Sequence, residues 1–136
     1  MIESDIAIAL LGNHEYNVCY HKKDSNGEYL REHSEKNFRQ HANTLQQFEN
    51  CKEDFIDFLG WFETLPIYFE IDDFQAVHAC WDNDHIAMFR KEFNTYSLNT
   101  ESSHLSVIKG TYFYRIIDET VKDKKAVLPD GRSYKE

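Results

Sequence analysis

Proline, glycine and positive charge are all scarce in this chain. Two prolines and five glycines in 136 residues are too few for a collagen-like, linker-like or low-complexity sequence. No apolar run approaches the roughly 20 residues that cross a bilayer. One such run, Ile6-Ala7-Ile8-Ala9-Leu10-Leu11, stops after six residues at Gly12. The N-terminus lacks the basic-then-apolar pattern of a secretory signal, so a cytoplasmic location with no membrane partner is expected. Cys19, Cys51 and Cys80 are odd in number and widely spaced, which excludes a disulfide framework and a Cys-x-x-Cys zinc site. Buried free thiols in a reducing compartment are expected instead. Fifteen Lys and Arg face 24 Asp and Glu, a net charge of −9. That balance argues against a nucleic-acid partner, which needs a basic footprint. It also opposes a phosphorylated ligand unless bound divalent cations reverse the local field.

Aromatic residues are plentiful: ten Phe, eight Tyr and two Trp predict a core built on rings. The length fits one domain or a piece of one, able to bury roughly two-thirds of its unfolded surface. Ile6–Leu11 reads as a buried strand, and Glu15–His21 as the opening of a short helix. Residues 22–34 carry mixed charges and Gly/Asn punctuation, which predict a surface loop. Ser34–Phe48 is helical, capped by Ser34 with Glu35, with Phe38, Leu45 and Phe48 on one face. A second helix over Lys52–Glu63 presents a broad stripe of Phe55, Ile56, Phe58, Leu59 and Phe62. It ends at Leu65-Pro66, because the residue before proline avoids helical angles. Pro66–Ile71 and Phe74–Cys80 form a hairpin across Asp72-Asp73. Asn83–Phe93 is a short amphipathic helix, 94–103 a polar loop, and His104–Lys122 helical despite Gly110. The tail from Asp123 is charged, with turn residues at Pro129-Asp130-Gly131.

Gly12-Asn13-His14-Glu15 follows the first apolar run directly. Open α/β sheets hold ligands at the C-terminal edges of their strands. An Asn there offers a neutral oxygen, and a His a nitrogen for metal or proton. A second histidine, His78, lies in Val77-His78-Ala79-Cys80-Trp81-Asp82. The first string resembles the Gly-Asn-His-Glu signature of the calcineurin-like metallophosphoesterases. The second is similar to their Val-His-Gly-Gly segment, with Ala79 and Cys80 in place of the glycines. Lys36-Asn37-x-x-Gln40-His41-x-x-Thr44-Leu45-x-x-Phe48 and Trp61-Phe62-x-x-Leu65-Pro66 resemble the bacterial branch related to symmetrical diadenosine tetraphosphatases. The resemblance runs over about residues 6–132.

The resemblance implies an α/β fold: part of the metallophosphoesterase β-sandwich flanked by helices, with a helical insert before the hairpin. It implies two divalent metals (manganese, iron or zinc) that clamp phosphoryl oxygens and activate water. By the same likeness Asn13 and His78 would ligate one metal, and His14 would protonate or stabilise the leaving group. Glu15 would support them from the start of the following helix. Trp81 and Asp82 lie near in sequence without an assigned role. The implied substrate is a phosphorylated small molecule, such as a dinucleoside polyphosphate, or a phosphoprotein. His21, His33, His41, His85 and His104 read as surface or packing residues, and a His78–Cys80–His85 zinc trio fits no closed structural site.

The family's Asp-x-His and Gly-Asp-x-x-Asp-Arg motifs precede Gly-Asn-His-Glu, and neither Glu3 nor Asp5 stands in such a motif. The family's final Gly-His has no counterpart after residue 78. The expectation is that residues 1–136 correspond to the central part of a catalytic domain, inactive alone and prone to self-association through an open strand edge. The rival expectation is a non-catalytic remnant or interaction module on the same scaffold.

Overall fold

The computed structural model describes residues 7–17, 23 and 26–122. In chain order its elements are α1 (Asn13–Tyr16), α2 (Glu35–Gln47), α3 (Lys52–Thr64), β1 (Tyr68–Ile71), β2 (Phe74–Val77), α4 (Asn83–Phe93), α5 (Thr100–Val107) and α6 (Tyr112–Lys122). The fold is mixed α/β. Among the described residues its sheet is one antiparallel pair, β1 with β2, in the register Tyr68↔Val77 to Ile71↔Phe74. No helix among these residues is long and apolar enough to cross a membrane.

Short-range chemistry sets most boundaries. The Ser34 hydroxyl accepts from the Asn37 amide at 3.3 Å and opens α2. Leu65, held extended by the following Pro66, closes α3. Asp72 takes the left-handed conformation (φ 49°) in the hairpin turn, which Asp tolerates better than most residues. Asp82 caps α4 by accepting from the Asp84 and His85 amides at 3.1 and 3.2 Å, and Asn94 ends that helix with a φ of 47°. Asn99 and Ser102 form a reciprocal capping box at the start of α5.

The core gathers around α6. Its buried Ile116, Ile117 and Val121 meet Ile86 and Phe89 of α4, then Leu65, Ile67 and Tyr68 at the approach to the hairpin, and Leu11 and Tyr16 beside α1. Tyr68 is the hub of a ring cluster, with Tyr96, Trp81 and Phe89 centroids at 5.1, 6.2 and 6.3 Å. Above it, Gln75 donates to Glu70 at 2.7 Å and Arg90 pairs with the same carboxylate. These two partners hold the Glu70 carboxyl below its ordinary range, the Gln75 hydrogen bond contributing most.

Four expectations need correction. Residues 7–12 carry no regular structure, rather than the strand read over Ile6–Leu11; Ile6 itself lies outside the described residues. A strand exists only through a neighbour's backbone; among the described residues this segment gives Leu11 N–H to the Pro66 carbonyl at 2.8 Å, while the Gly12 carbonyl accepts from Tyr16 N–H in the turn of α1. Ile8 is accordingly exposed while Leu11 is buried. Second, 94–103 is not all loop, because the Asn99 box starts α5 at Thr100. Gly110, at φ 85°, then separates α5 from α6; a left-handed residue cannot continue a helix, so His104–Lys122 is two helices.

Third, the apolar stripe of α3 does not enter the core. No residue of α3 is buried, and Ile56 and Phe58 are exposed. Phe62 reaches the core edge, while Phe48 meets Phe55 in a tilted contact at 5.3 Å and Phe58 edge-on at 5.7 Å. The α2–α3 pair thus closes on its own rings. Fourth, Cys51 is exposed rather than buried, because it lies in the α2–α3 connection, and Cys80 is half-buried. Cys19 and most of the helix read over Glu15–His21 lie outside the described residues, as does the tail from Asp123.

Phe89 is fully buried at the contact of α4 with the Tyr68 cluster. Phe89→Ala should destabilise the fold by about 3–5 kcal/mol, read as a lower urea midpoint; a midpoint within error of the parent would contradict this packing.

Candidate functional site

Gly12 closes the apolar segment and precedes the first turn of α1. Its φ of −96° and ψ of 178° are open to any residue, so left-handed backbone is not the reason for glycine here. The reason is space. A Cβ on Gly12 would lie 2.7 Å from Glu15 Oε2 and 3.0 Å from both Cε1 and Nδ1 of His78. The Gly-Asn-His-Glu string and the histidine after the hairpin therefore meet at one buried backbone position, with a carboxylate and an imidazole on either side of it.

The two partners are held by α5 and α6. On the α1 side, Tyr16 is buried and its hydroxyl donates to the carbonyl and hydroxyl oxygens of Ser106, each at 3.0 Å. The Lys122 ammonium sits 4.7 Å from the Tyr16 ring centre. On the hairpin side, His78 follows the last residue of β2, and Ala79 N–H donates to the Thr120 carbonyl at 3.1 Å. Thr120 turns its own hydroxyl onto the Ile116 carbonyl at 2.7 Å, keeping a buried oxygen satisfied. The imidazole of His78 remains exposed, as does that of His14; Asn13 and Glu15 are half-buried.

Of the residues singled out in the sequence, the structure brings Glu15 and His78 together across Gly12 and sets Asn13 next along the chain. His14 is on the same turn. A full metal centre is not assembled: among the described residues no group of three or more His, Cys, Asp or Glu side chains is placed to hold an ion. That finding also covers the His78–Cys80–His85 trio. Asp82 has another task, capping α4. Trp81 donates its indole N–H to Asn83 Oδ1 at 2.8 Å and packs edge-on to Tyr68.

His85 is buried between α4 and α6, with Nδ1 3.6 Å from Glu119 Oε2. That nitrogen is buried and has no hydrogen-bond partner among the described residues. The two residues lie in separate helices, so no spacing rule in the sequence pairs them.

Compared with known proteins, the chain matches no family model, no curated protein and no solved structure.

Gly12→Ala tests the convergence directly. The Glu15 carboxylate ends a flexible side chain and the His78 ring is exposed, so both can swing aside and the loss of stability should be small, about 1 kcal/mol. The His78 ring resonances should shift, because the ring must give way to the new methyl. Unchanged His78 ring shifts in the alanine variant would contradict the crowding around Gly12.

Proposed function

We propose that this chain is the central part of a metal-dependent phosphoester or phosphoanhydride hydrolase of the calcineurin-like type. The meeting of the Gly-Asn-His-Glu string with His78 across Gly12 carries the reading. Two segments distant in sequence, each resembling a family motif, come to one point. In this reading the hairpin and its flanking helices are a portion of the metallophosphoesterase β-sandwich, and α2–α3 is the helical insert.

The residues divide the work by their chemistry. Asn13 offers its side-chain oxygen and His78 a ring nitrogen to the same divalent ion, manganese, iron or zinc. Glu15 lies against Gly12 beside His78, where a carboxylate can accept a hydrogen bond from an imidazole and fix its tautomer. His14 ligates nothing in this reading and donates a proton to the leaving oxygen. When bound, the metal pair supplies charge to the phosphoryl oxygens, which the acidic chain itself does not. Further ligands belong to the family's Asp-x-His and Gly-Asp-x-x-Asp-Arg motifs, which this sequence does not contain. The substrate is a phosphorylated small molecule or a phosphoprotein.

Paramagnetic broadening by substoichiometric Mn²⁺ tests the ligand assignment without requiring turnover. The amides around Asn13 and His78 should broaden first. Asn13→Ala or His78→Ala should weaken Mn²⁺ binding by at least about tenfold, as much as losing a hydrogen-bonded neighbour of a ligand costs; His14→Ala should leave it unchanged. Broadening spread over the acidic surface and indifferent to both ligand substitutions would overturn the reading in favour of a non-catalytic module.

A further inference from the structure

A cavity of about 280 Å³ opens where the end of α1, the segment leading into α2, the end of α5 and one face of α6 come together. It shares no residue with the Gly12–His78 contact. Four cations line it: Arg31 before α2, Lys36 in the first turn of α2, Lys109 after α5 and Lys122 in the last turn of α6. Two carboxylates offset them, Glu32 in the wall and Asp118, which holds Lys122 at 3.0 Å. Among the described residues, four cations and two carboxylates line or flank the cavity, in a chain whose net charge is −9.

Gathering like charges costs Coulomb energy, and an acidic chain has carboxylates available to quench them. Here they are not all used. Lys36 and Lys109 form no ion pair with another described residue, while Arg31 Nη1 lies 3.4 Å from His41 Nε2. Tyr16 and Asn37 join Leu30, Val107 and Tyr114 in the rest of the wall. Leu30 and Val107 give an apolar side. Tyr114 gives a phenol that burial, aided by Asp118, keeps protonated above its ordinary range, so that its hydroxyl stays a donor.

We propose that this cavity binds a phosphate monoester dianion attached to an apolar body. Lys36 and Lys109, which form no ion pair with another described residue, supply positive charge for a dianion. The Arg31 guanidinium offers the planar fork that phosphate oxygens accept, and the lysines act as mobile point charges beside it. Leu30 and Val107 take the ester's apolar part. A bare dianion would leave that side of the cavity wet.

Isothermal titration calorimetry with phenyl phosphate, at low salt and with EDTA present, tests this apart from any metal site. The expected result is saturable binding, tighter than that of inorganic phosphate and weakened by added salt. Lys36 and Lys109 are exposed, so the double variant Lys36→Gln/Lys109→Gln should keep its circular dichroism spectrum while its Kd rises by about tenfold, as loss of charged hydrogen bonds predicts. Absence of saturable binding, an unchanged Kd in the double variant, or inorganic phosphate binding as tightly as phenyl phosphate would each overturn the proposal. Because EDTA removes any metal, failure here is distinct from failure of the Mn²⁺ assignment.

Discussion

The burial of one face of α6 is the interaction on which the rest depends. Ile116, Ile117, Thr120 and Val121 are all removed from solvent, and apolar burial of this kind contributes about 25 cal/mol per Å². Around that face are arranged α4 through Ile86 and Phe89, the hairpin through Ala79 N–H on the Thr120 carbonyl, and α1 beneath Lys122. A four-residue helix such as α1 has no stability of its own. It persists because Tyr16 is buried against the core and hydrogen-bonded to Ser106 of α5, and α5 in turn packs on α6. The geometry around Gly12 is thus inherited from a helix that contributes no residue to it.

Outside this packed body the chain spends its aromatics differently. Tyr68, Phe89 and Tyr16 are buried, whereas Phe38, Phe58 and Trp61 remain largely in water. Rings at 5–6 Å attract one another beyond their buried area by about 0.5–1.5 kcal/mol, which lets Phe48 tie α2 to α3 without help from the core. Charge is distributed just as unevenly. A chain of net charge −9 gathers four cations at one cavity, and the low-dielectric walls of such a cleft focus their field. The average composition describes neither region well.

Local rules carried the reading of the sequence wherever a boundary was set by neighbours. The Ser34 cap, the Leu65-Pro66 stop, the Asp72-Asp73 turn and the span of α4 follow from hydrogen bonds and φ limits within a few residues. The reading failed where the outcome depended on a distant partner. A continuous apolar run over 6–11 has the composition of a buried strand, but pairing needs another backbone alongside. The stripe on α3 has the period of a buried face, but period does not say whether a core arrives to cover it. For Asn99 the missed signal was local: its capping box with Ser102 stood in what reads otherwise as polar loop.

The site divides along the same line. Gly12-Asn13-His14-Glu15 and His78 stand out along the chain, because the side chains carry the chemistry and the strings carry the resemblance. That His78 and Glu15 crowd Gly12 follows from packing, since the contact is closed by α5 through Tyr16 and by α6 through Ala79. The tertiary structure alone drew Arg31, Lys36, Lys109 and Lys122 to one cavity. Those four follow no spacing along the chain, and their common address is set by packing, which acts through space and leaves no periodic trace in sequence.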